Sequence, residues 1–427
     1  MGSLIVSLLL LGTYPRDEHI REIPPGEEIG GPARIIQAPR KRARLVLDLP
    51  LLDVPFNFTS GYNWPSPPQA VAVTTGVYDL LHWAIGLGLN PWGEDKIKVA
   101  LGITAISALD TLTFLVAGPT SSAWTHEEFH MAVLTTQGVP ARNPLSRGFA
   151  LPLFAPASIE ADPNDVETFK QLSPAAFSYV NVAGFQAHAM LAQRFERNIF
   201  FDDQPALSNF IIGLNHFLPV IYNVICLSTG EGDCAVQVRH NFAPQETTQT
   251  RDYTDQERAY LSRQLGFSLL NFIDPFLFTI RGVQLSNGLM LNAAVRHVPT
   301  PYGQEIRLDG YLGLGGSMRG ETGIRVSLHS GFNQAAWCPG ISFEIQGAGD
   351  WLRASLSGSF WLQPVGQSFT SPVLQAGGSG AFRFGYMFFD GRVGPWIEGE
   401  IKSAGWMLGN PYLDWKASFR AGMTVAI

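Results

Sequence analysis

Near Gln284 the hydrophobic pattern of the chain switches to a period of two, and no other feature of the sequence constrains the fold as much. Leu352, Ala354, Leu356, Gly358 and Phe360 alternate with Arg353, Ser355, Ser357 and Ser359. Phe382, Phe384, Tyr386 and Phe388 alternate with Arg383 and Gly385, and Asp390-Gly391 follows as a hairpin-turn dipeptide. In the last segment Trp415, Ala417, Phe419, Ala421, Met423, Val425 and Ile427 share one face, and Lys416, Ser418, Arg420 and Thr424 the other. Successive side chains of a strand point to opposite faces, so such runs segregate apolar from polar groups only as strands. The spacing predicts about eight: 287–298, 303–315, 321–330, 340–348, 351–363, 378–389, 393–404 and 412–427. Strands this long, with one apolar face and a Gly/Ser/Arg-containing opposite face, fit an outer-membrane-type β-barrel whose apolar face meets lipid. A soluble antiparallel barrel would show the same alternation with its apolar face turned inward.

Composition separates the two. Only 15% of the 427 residues are charged, against 46% hydrophobic and 28 phenylalanines. Soluble domains usually carry about a quarter charged residues, so the membrane form is favoured. The net charge of -7 gives no general basic character for nucleic acid. Neither a G-x-x-x-x-G-K-S/T loop nor a Rossmann fingerprint nor a G-x-S-x-G elbow is present, so no nucleotide is expected. Ala376-Gly377-Gly378-Ser379-Gly380 has no lysine and no following helix, and reads as a flexible turn.

Before residue 281 the pattern is different. Residues 1–70 read as an extended, proline-rich arm with one strand at 43–48. The run Leu4–Leu11 is too short to span a bilayer and reads as a truncated signal sequence or a buried segment. Arg40-Lys41-Arg42 reads as a solvated flank or a headgroup contact, and Asn57-Phe58-Thr59 matches a glycosylation acceptor. Residues 71–280 read as an apolar helical domain. Its helices are expected from Val77 to Asn90, Val99 to Ala117, Ser121 to Thr136, Pro174 to Asn198 and Ser208 to Leu227, with a kink at Pro219. Thr254–Glu257 reads as a capping box opening one more. These helices should pack in their own domain or dip into one leaflet. Asp110, inside the second, needs a partner: a ligand imidazole or another buried hydrogen bond. Gly184 and Ala187 leave room for a neighbouring helix. Cys226 and Cys234 bracket the loop LSTGEGD, either as a local disulfide or as two thiols, with Cys338 left over.

Within the third helix stands His126-Glu127-Glu128-Phe129-His130. Positions i and i+4 lie one turn apart on one face, so both imidazoles can share a metal ion. Glu127 then sits beside the metal, where a general base belongs. The competing reading is a chance pair of core histidines. Catalytic zinc usually takes three protein ligands. No histidine or acid follows His130 at short spacing, so the third must be distant. His188, on a later helix among small residues, is the first choice. Glu196 comes next, then Asp274, His216 and His240.

On His126, Glu127 and His130 the sequence resembles the zincin metallopeptidases, specifically those whose third ligand lies on a later helix. Asn271–Asp274 is an imperfect match to the late aspartate of membrane-embedded members, and the Asn181 region does not match the N-x-x-E setting. The resemblance implies an α+β chain: a mainly helical zincin-like domain joined to the antiparallel β-barrel. It implies a membrane-associated, zinc-dependent metallopeptidase in which Glu127 is the general base acting on a water activated by Zn2+, with His126, His130 and His188 as ligands. Tyr179, His216 and Arg194 are candidate oxyanion donors. Apolar surroundings point to membrane lipid as a partner and to a hydrophobic peptide or lipid-like substrate, so a zinc amidase or deacylase acting on lipid is a variant. The expected location is the bacterial cell envelope, an outer membrane with the helical domain in the periplasm. The reading from a different class is a non-catalytic barrel acting as anchor, assembly factor or narrow channel.

Overall fold

A computed structural model describes residues 34–37, 45–56, 65–89, 95–116, 118–148, 159–202, 209–243, 252–278, 280–285, 289–317, 320–348, 351–389 and 391–426. Leu4–Leu11, the 40–42 basic cluster, Asn57 and Asp390 lie outside them. The chain is α+β. All eight predicted strands form: β6 (Met290–Thr300), β7 (Gly303–Ser317), β8 (Gly320–Phe332), β9 (Trp337–Ala348), β10 (Leu352–Pro364), β11 (Leu374–Tyr386), β12 (Val393–Lys402) and β13 (Lys416–Ala426). Each pairs antiparallel with the next. Three further strands join them: β1 (Arg34–Gln37), β2 (Val46–Pro55) and β5 (Ile280–Gln284). A separate small pair, β3 (Ala141–Arg142) and β4 (Glu160–Ala161), lies among the helices.

The sheet order is β1-β5-β6-β7-β8-β9-β10-β11-β12-β13-β2, and its ends do not pair with each other. The expected closed barrel is therefore corrected to an open sheet, and helices fill the gap. We number these α1 (Pro67–Leu89), α2 (Lys96–Leu115), α3 (Ser122–Thr136), α4 (Pro163–Leu172), α5 (Pro174–Phe201), α6 (Asn209–Thr229), α7 (Asp233–Phe242) and α8 (Asp255–Ser268). β2 packs on α1, α1 on α2, α2 on α6, α6 on the short turn Pro275–Phe278, and that turn on β5. Strands and helices together complete a ring.

α5 runs through that ring. It packs on helices α1, α3, α6 and α7 and on strands β5 to β8. Its Arg194 donates to Asp48 of β2 at 3.0 Å, and its Arg197 donates to Glu344 of β9 at 2.9 Å. A helix that precedes residue 280 thus fills the hollow of the sheet that follows it. The inward face of the sheet is polar. One cross-strand row reads Arg383, Glu398, Arg420, Asp53, alternating in sign between direct register partners on β11, β12, β13 and β2. Opposite charges directly across a sheet attract, and here they neutralise one another away from bulk water. Between α5 and these strands lies a polar cavity of about 330 Å³, lined by Arg194, Arg325, Glu344, Ser357, Ser379 and Arg420 among others.

The glycine-dense run 376–380 is part of β11 rather than a turn. A Cβ at Gly377 would stand 2.2 Å from the Trp361 indole nitrogen. The missing side chains make space for an inward tryptophan, a packing demand that composition alone does not reveal.

Candidate metal centre

α3 carries the H-E-x-x-H residues. Ser121 caps it, its side chain accepting from Trp124 N, and the helix ends at Gln137. Its sequence lacks an apolar stripe because the helix is enclosed on every side. His126, Glu127, Glu128 and His130 are all buried. Glu128 turns away from the centre and accepts from Asn143 Nδ2 at 2.9 Å and Ser146 Oγ at 3.0 Å, tying α3 to the segment that follows it.

The two motif imidazoles point their Nε2 atoms at each other, 3.0 Å apart. Asp233, the first residue of α7, brings Oδ2 to 3.5 Å from His126 Nε2 and 3.3 Å from His130 Nε2. The three donor atoms thus form a triangle. Tetrahedral zinc with nitrogen and oxygen ligands at about 2.0–2.1 Å holds its donors about 3.3 Å apart. The observed edges bracket that value, so these residues fit a metal ion.

Hydrogen bonds fix the tautomers. Asn215 Nδ2 donates to Ile211 O at 2.9 Å, which turns Asn215 Oδ1 toward His188 Nδ1, also at 2.9 Å. His188 Nδ1 must therefore donate, leaving its Nε2 as an acceptor. That Nε2 lies 3.1 Å from His126 Nδ1, so His126 donates there and keeps a lone pair on Nε2. His130 Nδ1 donates to Val180 O at 2.6 Å, which likewise leaves its Nε2 facing the triangle. Two bare lone pairs cannot face each other at 3.0 Å, so a proton or a metal ion must sit between them. Such outer partners orient ligand imidazoles and raise their basicity.

Electrostatics agree with the geometry. Burial would depress His130, but the Asp233 carboxylate and Glu127 outweigh it and push it up to about 9. Burial would raise Asp233, but the neighbouring imidazoles, His130 above all, hold it well below the usual carboxylate range. Burial pushes Glu127 up to about 8 against the pull of His130, with Asp233 and Glu128 adding to the rise.

The residues predicted for the site have separated. His188 is not a donor to the triangle; it stands behind His126 and positions it. Asp233 Oδ2 completes the group of donor atoms instead. Sequence reading passed over Asp233 although it is the last residue of the loop bracketed by the cysteines. Those cysteines are bonded, Cys226 to Cys234, and Cys338 is free and buried. The disulfide joins the end of α6 to the start of α7, one residue from Asp233. Tyr222, one turn before Cys226, stacks on His126 at 5.1 Å between ring centroids and 16° between planes.

The remaining candidates lie elsewhere. Glu196, His216 and Asp274 form a second buried donor group, but a cation already serves it. Glu196 accepts from Arg296 at 2.9 and 2.6 Å and from Tyr311 at 2.9 Å, while His216 pairs with Asp274 at 2.9 Å. His240 Nε2 bonds Pro174 O. Asp110 pairs with His82 at 2.6 Å, not with a motif imidazole. Of the expected oxyanion donors, Tyr179 donates to Asn410 O, Arg194 is held by Asp48, and His216 belongs to the second group. Compared with known proteins, the chain matches no family model, no curated protein and no solved structure.

Proposed function

We propose that the chain is a zinc-dependent hydrolase, a membrane-associated metallopeptidase built around His126, His130 and Asp233. One observation carries this reading: three donor atoms converge at the spacing a tetrahedral ion requires, with Glu127 next to them in the same helix. Two imidazoles and a carboxylate suit zinc. Bound there, zinc would polarise a scissile carbonyl and acidify water. Glu127 would take a proton from the attacking water and return it to the leaving amine. His188 and Asn215 keep His126 in the tautomer that presents Nε2. Tyr222 makes no hydrogen bond to another described residue through its hydroxyl and offers a donor to the polarised carbonyl. The Cys226–Cys234 bond supports an oxidising compartment, in keeping with a cell-envelope location.

Metal analysis of the purified chain tests the reading. About one zinc per chain, lost in a His126→Ala variant, is expected. An E127Q variant should keep zinc and lose cleavage. Offering a hydrophobic peptide beside a fatty-acyl amide separates a peptidase from a lipid deacylase. Protein purified without chelator that holds no metal would overturn the enzyme and leave the non-catalytic envelope protein.

A further inference from the structure

Among the described residues the outward face of the ring is apolar and exposed. Along β7–β10 one cross-strand row reads Leu308, Leu328, Ile341, Phe360, and a second along β9–β11 reads Ile345, Leu356, Phe382. All of these side chains are exposed. On β9–β12 every charged residue falls on the inward-facing parity. The helical part of the ring behaves the same way. Leu80 and Leu87 of α1, Leu101 and Leu112 of α2, and Phe217 and Val224 of α6 are exposed, while Asp79, His82, Asp110 and His216 on these helices are buried. α1 and the Phe210–Thr229 part of α6 are each long and apolar enough to cross a membrane.

We infer that this ring is seated in a lipid bilayer, with β6–β13, α1, α2 and α6 as its lipid-facing wall. A protein partner would cover one side, but the apolar surface continues across the sheet and onto the three helices. The height of the wall also fits. β9 has 12 residues, about 40 Å at about 3.3 Å per residue. Tilted by about 45°, it rises about 28 Å, close to the hydrocarbon thickness of about 30 Å. Aromatic residues mark both ends. Trp337 at the start of β9 and Trp415 before β13 are 63% and 53% exposed, and Trp351 and Phe389 at the opposite turns are 56% and 76% exposed. Such aromatics sit at the two headgroup levels of membrane proteins. The β2 edge of the sheet is packed against α1.

The metal centre stands toward one end of this wall. Ser178 and Tyr179, at the start of α5, bond to Pro301 O and Asn410 O in the turns at the Trp337 end. Phe200, at its other end, accepts from Arg281. His130 bonds Val180 O, so the donor triangle stands at the Trp337 end, near one headgroup level rather than mid-bilayer.

The test uses the full chain reconstituted in phosphatidylcholine vesicles, with Cys338→Ser and a single fluorescent label at F360C, F382C or A335C. Brominated acyl chains are expected to quench the labels at 360 and 382, and aqueous iodide the label at 335. A second measurement needs no substitution: the tryptophan fluorescence of the unmodified chain should be quenched by bromines placed high on the acyl chain. Iodide quenching at 360 and 382 would overturn the inference. So would labels shielded in a stable, detergent-free dimer, because a second copy would then cover the face. Neither readout depends on metal or on hydrolysis, so failure here is distinct from failure of the enzyme reading.

Discussion

The imidazole of His126 occupies the space that a side chain at Gly184 would fill. A Cβ on Gly184 would stand 2.2 Å from His126 Cε1 and 2.3 Å from its Nε2. α3 and α5 therefore meet where α5 has no side chain, and the ring of His126 fills the opening. Gly184→Ala forces the imidazole off its line toward His130 and Asp233. Overpacking of this kind costs about 1–3 kcal/mol. We expect G184A to lower the thermal midpoint modestly and to weaken zinc binding far more, measured by competition with a chromophoric chelator. Unchanged zinc affinity would show that the donor triangle does not depend on this contact.

His188 and Asn215 act through His126. Removing an outer partner of a metal-binding histidine typically lowers metal affinity about 10–100-fold. His188→Leu or Asn215→Leu should fall in that range, while His126→Ala or Asp233→Ala should abolish stoichiometric binding. An H188L variant as defective as D233A would restore His188 to the ligand set.

These contacts show what the sequence made legible. The strands were visible because alternation survives wherever two faces see different surroundings. The polarity of that alternation was legible too: Arg383 and Arg420 face the ion-paired hollow, and Phe382 faces outward. Ring closure by α1, α2 and α6 was not, because the contact between β2 and α1 leaves no periodic trace in either segment. The motif in α3 announced His126, Glu127 and His130 by helical geometry alone. Asp233 was hidden because its position depends on a covalent bond between its neighbour Cys234 and Cys226. The small neighbours of His188 do make room for a histidine, but the ring that Gly184 admits is that of His126 from α3, and His188 supports it from behind.

The disulfide gives a separate prediction. It closes a loop with a sequence separation of 8, for which chain entropy alone suggests about 2–3 kcal/mol. Tyr253 donates to Cys226 O at 2.6 Å, and Arg239 donates to Gly230 O at 2.7 Å, so part of the loop is held without the bond. We expect a Cys226→Ser/Cys234→Ser double variant to fold with reduced stability and to bind zinc more weakly, because Asp233 loses its fixed approach. Thermal melts with and without zinc measure both effects. A double variant that melts lower yet binds zinc as tightly would confine the disulfide to stability.

The pH dependence has opposite signs with and without metal. In the metal-free protein His130, raised to about 9 from an ordinary 6.5, gains stability from its proton. That contribution is fully present below about 6.5 and is lost as pH rises through about 9. Asp233 is depressed from 3.8, so its contribution is present above that value and is lost as pH falls toward its lowered pKa. Asp233 is a third exposed, and solvent screening keeps the energy of the pair modest. With chelator present, the thermal midpoint should therefore be highest between about pH 4 and 6.5 and decline toward pH 9, and D233N should flatten that decline. Zinc requires the His130 lone pair, so binding expels the same proton. Zinc affinity should rise by up to about tenfold per pH unit from pH 6.5 and level off near 9. Isothermal titration in two buffers of different ionisation enthalpy counts the released proton directly. Release of none at pH 7 would mean that His130 is already neutral and that no proton holds the two Nε2 atoms together.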